Sequence, residues 1–418
     1  MRYNKTEKIR TINKKTLIAA LDIGKKVHYG YFRAPSGHDI QPFAFHNTRN
    51  GFDKFWKKLC DFKKKQMLTE IVIGFESTGP YAEPICHYLR HQSVKLVQIN
   101  PMHTKRIKEL TGNSPNKTDK KDPRVIADVM SLGHSLTVIV PEGATAHLRR
   151  LTQARERAIE RRTAMNNQLQ HLVFLIFPEL VHIIKPSTKT GMYLIRHYSD
   201  PEKLLFAGID KINAIIKKIS RGRLGADRAE QLYGAAKKSV GITEGKESIL
   251  FEITHLVSKI ESENHYVEDL EKQMGDYLEK IPYSHSILSI TGIGYVTAAG
   301  LIGEVGDFRK FKTISEVLKL AGLDIYEISS GAHKGCRRIS KRGRALMRKL
   351  LYFAAINTTR KNGILHGPYQ RHLAKGMPRI KALMAIARKL IGIIFALVRD
   401  HSNFIADYSS QLMFKKAA

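Results

Sequence analysis

Residues 16–33, TLIAALDIGKKVHYGYFR, decide the fold. Apolar runs stand on both sides of Gly24, so the stretch predicts two β-strands around a glycine-containing turn. HDIQPFAFHN, residues 38–47, predicts a third strand. Residues 50–65 predict a helix, because their aromatic and leucine residues recur at helical spacing.

The apolar run EIVIGFES, residues 70–77, ends in polar residues and predicts a strand buried on both faces of a sheet. A helix at about 80–91, a strand at 95–100 and a helix from Pro101 complete the N-terminal pattern. In the resulting order, β-β-β-α-β-α-β-α, a three-strand meander precedes alternating helices and parallel strands. This order is typical of an RNase H-like, or RuvC-like, α/β domain.

The middle of the chain changes to long helices. Apolar residues recur at roughly helical spacing over 145–180 and over 246–280, which predicts an antiparallel coiled coil or helical hairpin. Residues 186–243 predict a small helical insertion, either a nucleic-acid contact or a plain spacer. The predicted class is α/β plus α: a RuvC-like domain (1–145), a coiled coil with the insertion (146–282) and a mostly helical C-terminal domain (283–418).

The composition points to a polyanionic partner. The chain carries 70 Lys+Arg against 38 Asp+Glu, a net charge of +32 and a pI near 10.0. Such an excess favours nucleic acid through counterion release. An anionic membrane surface is the alternative, but the charge is spread along the chain rather than confined to one amphipathic helix. No apolar run reaches the roughly 20 residues of a membrane helix, so we expect no membrane partner. Three scattered cysteines without CxxC spacing predict a reducing cytoplasm and no zinc site.

Four acidic residues stand in the basic N-terminal third: Asp22, Glu76, Asp119 and Asp122. Asp22 lies in an apolar strand, and Glu76 ends the strand expected beside it, so we expect the two carboxylates to face each other. Asp119 and Asp122 have i, i+3 spacing, which on a helix puts both on one face. Carboxylate oxygens are ligands of Mg²⁺ or Mn²⁺ beside substrate phosphates. The set therefore predicts metal-assisted phosphodiester chemistry on nucleic acid.

Asp22, Glu76 and Asp122 each have a structural alternative to metal binding. Asp22 could close the turn before Gly24, and its DxG pattern also occurs in actin-like ATPases, whose further glycine-rich phosphate loops are not found in this sequence. Glu76 could be a solvent-facing strand terminus. Asp122, followed by Pro123, has the pattern of a helix N-cap, a role compatible with metal binding.

The C-terminal third is rich in glycine and basic residues. Residues 287–300, ILSITGIGYVTAAG, predict a helix–hairpin–helix whose turn, Gly292 to Gly294, presents backbone N–H groups to a phosphate. A helix-packing turn without a ligand is the alternative. Residues 331–350 hold no acid, and we expect a folded basic face because the helix from about Gly343 also has an apolar face. The expected apolar face consists of Leu346, Leu350, Phe353 and Ala354. The candidate nucleic-acid ligands are Lys334, Arg337, Arg338, Lys341, Arg342 and Arg344.

Three N-terminal motifs carry a family resemblance: ALDIG, GFESTG and KTDKKDPRVIA, at 20–24, 74–79 and 117–127. Their order and spacing resemble the DEDD-type insertion-sequence transposases, the IS one-ten family, which is related to the Piv DNA invertase. The C-terminal run from Thr291 to Ala355 resembles the second domain of that family almost end to end. The two similar blocks cover roughly residues 16–182 and 246–357.

The resemblance implies a RuvC-like domain with a DEDD metal site and a C-terminal domain whose serine is the nucleophile. That serine precedes the glycine of the family's SG pair, here Ser330-Gly331, with Ser329 as a one-residue alternative. It also implies donor and target DNA, a structured non-coding guide RNA (bridge RNA), a homo-oligomer between dimer and tetramer, and a nucleoid-associated protein of a bacterial or archaeal cytoplasm. Two departures stand out, namely Pro123 where the family usually has alanine and an unusually long insertion.

We therefore expect a DNA recombinase that mobilises an insertion sequence, with the four acids holding metal at a scissile phosphate that Ser330 attacks. One alternative is a RuvC-like junction nuclease that uses the same acids with water as nucleophile. The other is a helix–hairpin–helix protein that binds RNA or DNA without catalysis and whose acids are structural.

Overall fold

The computed structural model of the protein describes residues 12–76, 79–111, 122–133, 135–137, 141–327, 335 and 337–405. The chain divides into two units, residues 1–140 and 141–418. Within the described residues, no helix is both long enough and apolar enough to span a membrane.

The first unit is built on a six-stranded sheet with the strand order β3-β2-β1-β4-β5-β6. The strands are β1 (Thr16–Asp22), β2 (Val27–Arg33), β3 (Phe43–His46), β4 (Glu70–Glu76), β5 (Lys95–Ile99) and β6 (Ser135–Thr137). The helices are α1 (Arg49–Lys65), α2 (Glu83–Leu89), α3 (Pro101–Thr111) and α4 (Asp122–Ser131). β1, β4 and β5 are parallel, whereas β2, β3 and β6 pair antiparallel to their neighbours.

The central strands β1 and β4 are buried on both faces, which explains their nearly continuous apolar sequence. On one face, Leu17 and Ile73 pack with Phe55 of α1. On the other face, Ala20 packs with Met130 of α4. The sheet is therefore the middle layer of three, with helices on each side.

Gly74 sets how closely α4 approaches the sheet. A Cβ at this position would lie 2.3 Å from Sδ of Met130. Only a glycine in the middle of β4 leaves room for the methionine, so the pair fixes the spacing between the α4 layer and the central strands.

The second unit is helical, with one short two-stranded ribbon. Its helices are α5 (Gly143–Ile176), α6 (Pro178–Ile183), α7 (Lys189–Tyr198), α8 (Pro201–Ala207), α9 (Ile209–Ile219), α10 (Ala226–Lys237), α11 (Lys246–Glu279), α12 (Ser284–Leu288), α13 (Tyr295–Val305), α14 (Ile314–Ala321), α15 (Ala345–Thr358), α16 (His366–Ala374) and α17 (Arg379–Arg399). The ribbon pairs β7 (Ile325–Tyr326) with β8 (Arg338–Ile339) antiparallel.

α5 and α11 pack along their length as an antiparallel pair. Arg155 forms an ion pair with Glu271 at 2.6 Å. Further along α5, the side chain of Gln168 donates a hydrogen bond to the Glu252 carboxylate at 2.7 Å. The residue numbers rise on one helix as they fall on the other, which is the signature of antiparallel packing. The predicted helical hairpin is therefore present.

Two separate apolar cores lie at the two ends of this pair. One contains the end of α5, the start of α11 and the helices α6 to α10 of the insertion. The other contains the opposite ends of the pair and the C-terminal helices α12 to α17. The insertion predicted to be helical contains α7 to α10.

Most of the expected elements are present, and the mixed α/β class is confirmed. β6 was not predicted, because three residues are too short to show a strand period. The expected apolar face of α15 is right at Ala354 and wrong at its other three positions: Phe353 is half exposed, and Leu346 and Leu350 are only partly buried. The buried residues are Met347, Leu351, Ala354, Ala355 and Thr358.

The Gly74–Met130 contact yields a test of the layer spacing. Gly74→Ala should lower the free energy of unfolding by about 1–3 kcal/mol, because the new methyl group displaces Met130. In a Met130→Ala background the same substitution should cost roughly 1 kcal/mol less, since the opposing side chain is gone. Urea unfolding of the four proteins measures this coupling, and an equal cost in both backgrounds would contradict the contact.

Candidate functional site

Asp22 and Glu76 end neighbouring parallel strands. Leu21 of β1 is paired in register with Phe75 of β4, so the next residues, Asp22 and Glu76, continue that register at the carboxyl edge of the sheet. Residues in register on adjacent parallel strands, about 4.8 Å apart, project to the same face. Here it is the α4 face, because Ala20, two residues before Asp22, belongs to the α4 core.

Glu76 is held by the helix that follows β5. The hydroxyl of Thr104, in the first turns of α3, donates to Glu76 Oε1. Thr104 is buried, with 2% of its surface exposed. The carboxylate therefore has a fixed neighbour and one oriented oxygen, which argues against a freely solvated strand terminus.

Asp122 begins α4 and contacts the same α3 helix. Lys108 Nζ lies 2.6 Å from Asp122 Oδ1, and the Asp122 side chain is 17% exposed. Thr104 and Lys108 are four residues apart, so they stand one turn apart on one face of α3. α3 thus brings Glu76 and Asp122 to neighbouring positions along a single helix face. Asp122 and Pro123 are the first two residues of α4, and the capping role of Asp122 stays a prediction.

The grouping is partial over the described part of the chain. No three or more His, Cys, Asp or Glu side chains there lie close enough together to hold a metal ion. Asp119, the fourth expected ligand, lies outside the described residues. The donors fit a hard divalent cation in kind, since Asp22, Glu76 and Asp122 offer only carboxylate oxygens. Lys108 now supplies the positive charge next to Asp122.

Thr104 and Lys108 were missed by the sequence reasoning. That reasoning predicts a helix from Pro101 but gives its side chains no role. The available signal is the i, i+4 spacing of a hydroxyl and an amine on the helix that directly follows a parallel strand. Their partners are 28 and 14 residues away in sequence, so spacing alone could not identify the contacts.

The glycines of the helix–hairpin–helix have two different environments. Gly292 has φ +102, and a Cβ there would lie 3.1 Å from Thr358 Cγ2, so it packs against the end of α15. Gly294 precedes α13 as its N-cap, without a side-chain cap, and borders open space. The glycine turn lies between α12 and α13, and Gly294 is the member of the pair whose surroundings leave room for a ligand.

Ser329, Ser330 and Lys334 lie outside the described residues. The described residues next to their segment belong to the β7–β8 ribbon. Glu327 and Arg337 form an ion pair across it at 2.8 Å. The carboxylate raises the pKa of Arg337 further above its usual value through this hydrogen bond. Arg337 is 75% exposed and remains accessible beside its partner.

The remaining candidate cations separate by environment. Arg338, Lys341 and Arg342 are exposed and have no ion pair with another described residue. Arg344 is different, because its guanidinium donates to the backbone oxygen of Glu304. Burial, reinforced by the nearby charge of Arg149, lowers the pKa of Arg344 to about 10. Arg344 therefore anchors the start of α15 to α13.

Comparison with known proteins places these two regions in a common family context. Residues 19–178 match the IS110 family of DEDD transposases, and residues 284–370 match the family described as Transposase IS116/IS110/IS902. The first match contains Asp22, Glu76 and Asp122, and the second contains Gly292 to Arg344. Both groups of candidate residues therefore fall within segments that match transposase models.

Three relatives extend the similarity over most of the chain. The uncharacterized 43.6 kDa protein of insertion element IS110 from Streptomyces coelicolor is 24% identical over 384 residues, 91% of this chain and 93% of that protein. The mini-circle putative transposase for IS117 from the same species is 24% identical over 68% of this chain and 74% of its own. The transposase for insertion sequence element IS1111A from Coxiella burnetii is 24% identical over 73% of this chain and 72% of its own. Two segments of the chain therefore match transposase models of the IS110 type, and the chain is similar over most of its length to an IS110 insertion-element protein.

Proposed function

We propose that this protein is the DNA recombinase of an insertion sequence, which cuts and rejoins donor and target DNA. The observation that carries the proposal is the placement of Asp22 and Glu76 in one strand register, with Glu76 and Asp122 both contacting one face of α3. Asp22 and Glu76 continue one strand register, and Asp122 lies one α3 turn from the Glu76 contact. The match of both regions to transposase families supports the same reaction class.

The carboxylates of Asp22, Glu76, Asp119 and Asp122 would hold Mg²⁺ or Mn²⁺. When bound, such an ion polarises a phosphoryl oxygen and offsets the charge that develops on the phosphate. Thr104 would fix the orientation of Glu76, as outer hydrogen bonds do for ligating side chains. Lys108 adds a second positive charge on the same α3 face, 2.6 Å from Asp122 Oδ1.

Ser330, with Ser329 as its neighbour alternative, would be the nucleophile. The serine oxygen forms a bond to phosphorus while the bond to one DNA oxygen breaks, and the serine proton passes to that departing oxygen. The product is a phosphoserine diester and a free DNA hydroxyl. Attack by a different DNA hydroxyl reverses the step, so strands are exchanged without an external energy source. A serine hydroxyl requires activation for this attack.

The nucleic-acid contacts would come from the second unit. Gly294 offers backbone N–H groups at the start of α13, and Arg338, Lys341 and Arg342 are exposed cations beside the β7–β8 ribbon. Gly292, Lys334, Arg337 and Arg344 complete the proposed set, with Arg344 acting through the position of α15. A structured guide RNA and a dimer to tetramer of the chain are part of the proposal through the family resemblance. In such an assembly the acids and the serine could come from different subunits.

A metal-dependent nuclease that uses water is the second candidate. One observation favours it: Glu76 and Asp122 have defined contacts with α3, and a water nucleophile requires only the carboxylates and their metal. The two candidates differ in their products. A nuclease leaves free phosphate and hydroxyl ends, whereas the recombinase passes through a protein–DNA adduct.

The nucleophile assignment predicts the fate of the adduct. Ser330→Ala should abolish the covalent protein–DNA complex that a denaturing gel detects with end-labelled substrate, because no oxygen remains to bond phosphorus. Ser329→Ala is the matched control and should retain the adduct. An adduct that survives in the first variant and disappears in the second would transfer the role to Ser329. Cleavage without any adduct in the unmodified protein would support the nuclease.

The carboxylate site predicts a position-dependent effect along β4. Glu76→Gln should lower the rate of metal-dependent strand cleavage by at least about 100-fold, more than the usual effect of an outer hydrogen-bond partner. Glu70→Gln is the matched control: it changes the same residue type at the opposite end of the strand, where Glu70 accepts from Thr16. Single-turnover cleavage at several Mg²⁺ concentrations measures both variants. Equal rates for the two would contradict a site at the carboxyl edge.

A further inference from the structure

The insertion is firmly docked onto the end of the long helical pair. The backbone N–H of Ile242 donates to the carbonyl of Leu175 at 2.9 Å. Gly241 approaches so closely that a Cβ would lie 1.7 Å from the carbonyl oxygen of Ile176. Together with the apolar core shared by α5 to α11, these contacts make the insertion a small helical subdomain with a defined orientation on α5 and α11.

The acidic residues at the base of the insertion form ion pairs within the protein. Asp200 and Glu202 form ion pairs with Lys246 at 3.4 and 3.2 Å. Arg196 pairs with Glu261 of α11 at 2.6 Å. Opposite charges at the base of the insertion are therefore already matched between the insertion and the helical pair.

A group of cations on and after α9 is not matched in this way. They form the basic strip, which we define as Lys211, Lys217, Lys218, Arg221 and Arg223. All five side chains are exposed, and none has an ion pair with another described residue. Asp210 and Asp227 lie nearby in sequence, but each stands in the first turn of its helix, where a carboxylate is favoured by the helix dipole.

The strip has the length and regularity of a backbone contact. α9 buries Ile212 and Ile216, and Lys211 and Lys218, seven residues apart, lie on one exposed stripe of α9, with Arg221 in the turn that follows. Seven residues of helix extend about 10 Å. At roughly 3.4 Å of duplex axis per phosphate of one strand, that span faces about three phosphates.

The turn after α9 is ordered and holds Arg221 in an unusual conformation. Leu224 N–H donates to Ser220 Oγ at 3.0 Å, and Gly222 N–H donates to the carbonyl of Lys217 at 2.8 Å. Arg221 has φ +55, a left-handed conformation that glycine or asparagine adopts more easily. An arginine at such a position is consistent with a functional use of its charge.

Stabilisation of the helix end explains only part of the strip. Lys217 and Lys218 stand in the last turn of α9, where cations are favoured by the helix dipole. Lys211 stands in the first turns, where a cation is disfavoured, and Arg221 and Arg223 lie beyond the helix. The helix dipole therefore does not explain Lys211, Arg221 and Arg223, and we expect an external anion as the partner of the strip.

We propose that the basic strip binds the phosphodiester backbone of a nucleic-acid duplex. The exposed cations would each neutralise a phosphate and release condensed counterions. The choice of nucleic acid as the polyanion rests on the proposed function, whereas the position of the contact rests on α9 and its turn. The backbone could belong to DNA or to a structured RNA, and the two sources are separated by the test.

The test compares two quadruple variants of the full-length protein with equal loss of charge. The strip variant carries Lys211→Gln, Lys218→Gln, Arg221→Gln and Arg223→Gln. The control variant carries Lys189→Gln, Lys203→Gln, Lys237→Gln and Lys238→Gln, which are exposed cations on other insertion helices. Fluorescence anisotropy with a labelled 24-base-pair DNA duplex, and with an RNA duplex of the same sequence, gives the binding constant at several KCl concentrations.

Each phosphate contact contributes about 0.9 to the slope of log K against log salt for duplex DNA. The strip variant should lose about 3 from the magnitude of that slope with DNA, RNA or both, and the control should lose less than about 1. The duplex that shows the loss identifies the source of the backbone. Equal slopes for the two variants with both duplexes would overturn the proposal.

Strand cleavage is measured separately on the same two variants. Because the strip is remote in sequence from the carboxylates and Ser330, both variants should still cleave at saturating DNA if the proposed function holds. Unmodified protein that never cleaves would refute the proposed recombinase, while the salt slopes would still decide whether the strip binds a duplex.

Discussion

The parallel pairing of β1 with β4 is the constraint on which the N-terminal unit depends. It buries two nearly continuous apolar strands between helical layers. The same pairing brings Asp22 and Glu76 to one edge and one face. The polar residues stand where the strands emerge from the core, so the apolar pattern that stabilises the sheet also determines the position of the carboxylates.

The contacts of the described cations divide them into two groups, those with a partner inside the protein and those that are exposed without one. In the long helical pair, Arg155 and Arg161 are matched by glutamates on the facing helix. Arg344 and Arg348 donate to backbone oxygens and hold the start of α15. Exposed cations without an ion pair to another described residue include those of the basic strip and those at the β7–β8 ribbon. A high net charge is therefore compatible with a folded interior, because many of its arginines are internally satisfied.

Much of this arrangement follows from the sequence alone. Strong local patterns mark the strands at 16–33 and 70–77, the long helices and the helical insertion. The buried face of α15 does not follow from the sequence, because Leu350 and Leu351 lie on two different apolar stripes of the helix. The stripe with Ala354 and Ala355 is buried, because small side chains allow neighbouring helices to approach closely.

The candidate site was less accessible to sequence reasoning than the fold. The metal-binding roles of Asp22, Glu76 and Asp122 stay predictions, and the contacts of Glu76 with Thr104 and of Asp122 with Lys108 depend on how α3 packs after β5. Arg344 belongs to a basic run in sequence, yet its surroundings are set by Glu304, 40 residues away. The roles of Asp119 and Ser330 stay predictions, as does the division between the coiled coil and the C-terminal domain.

The central claim is that the carboxylates of β1, β4 and α4 act together on a divalent ion. Anomalous X-ray scattering from crystals of the protein with duplex DNA and Mn²⁺ tests it most directly. The account predicts a manganese peak within ligand distance of Asp22, Glu76 and Asp122, with Lys108 displaced from Asp122. A DNA-bound structure in which Lys108 still contacts Asp122 and no peak lies beside Glu76 would contradict it.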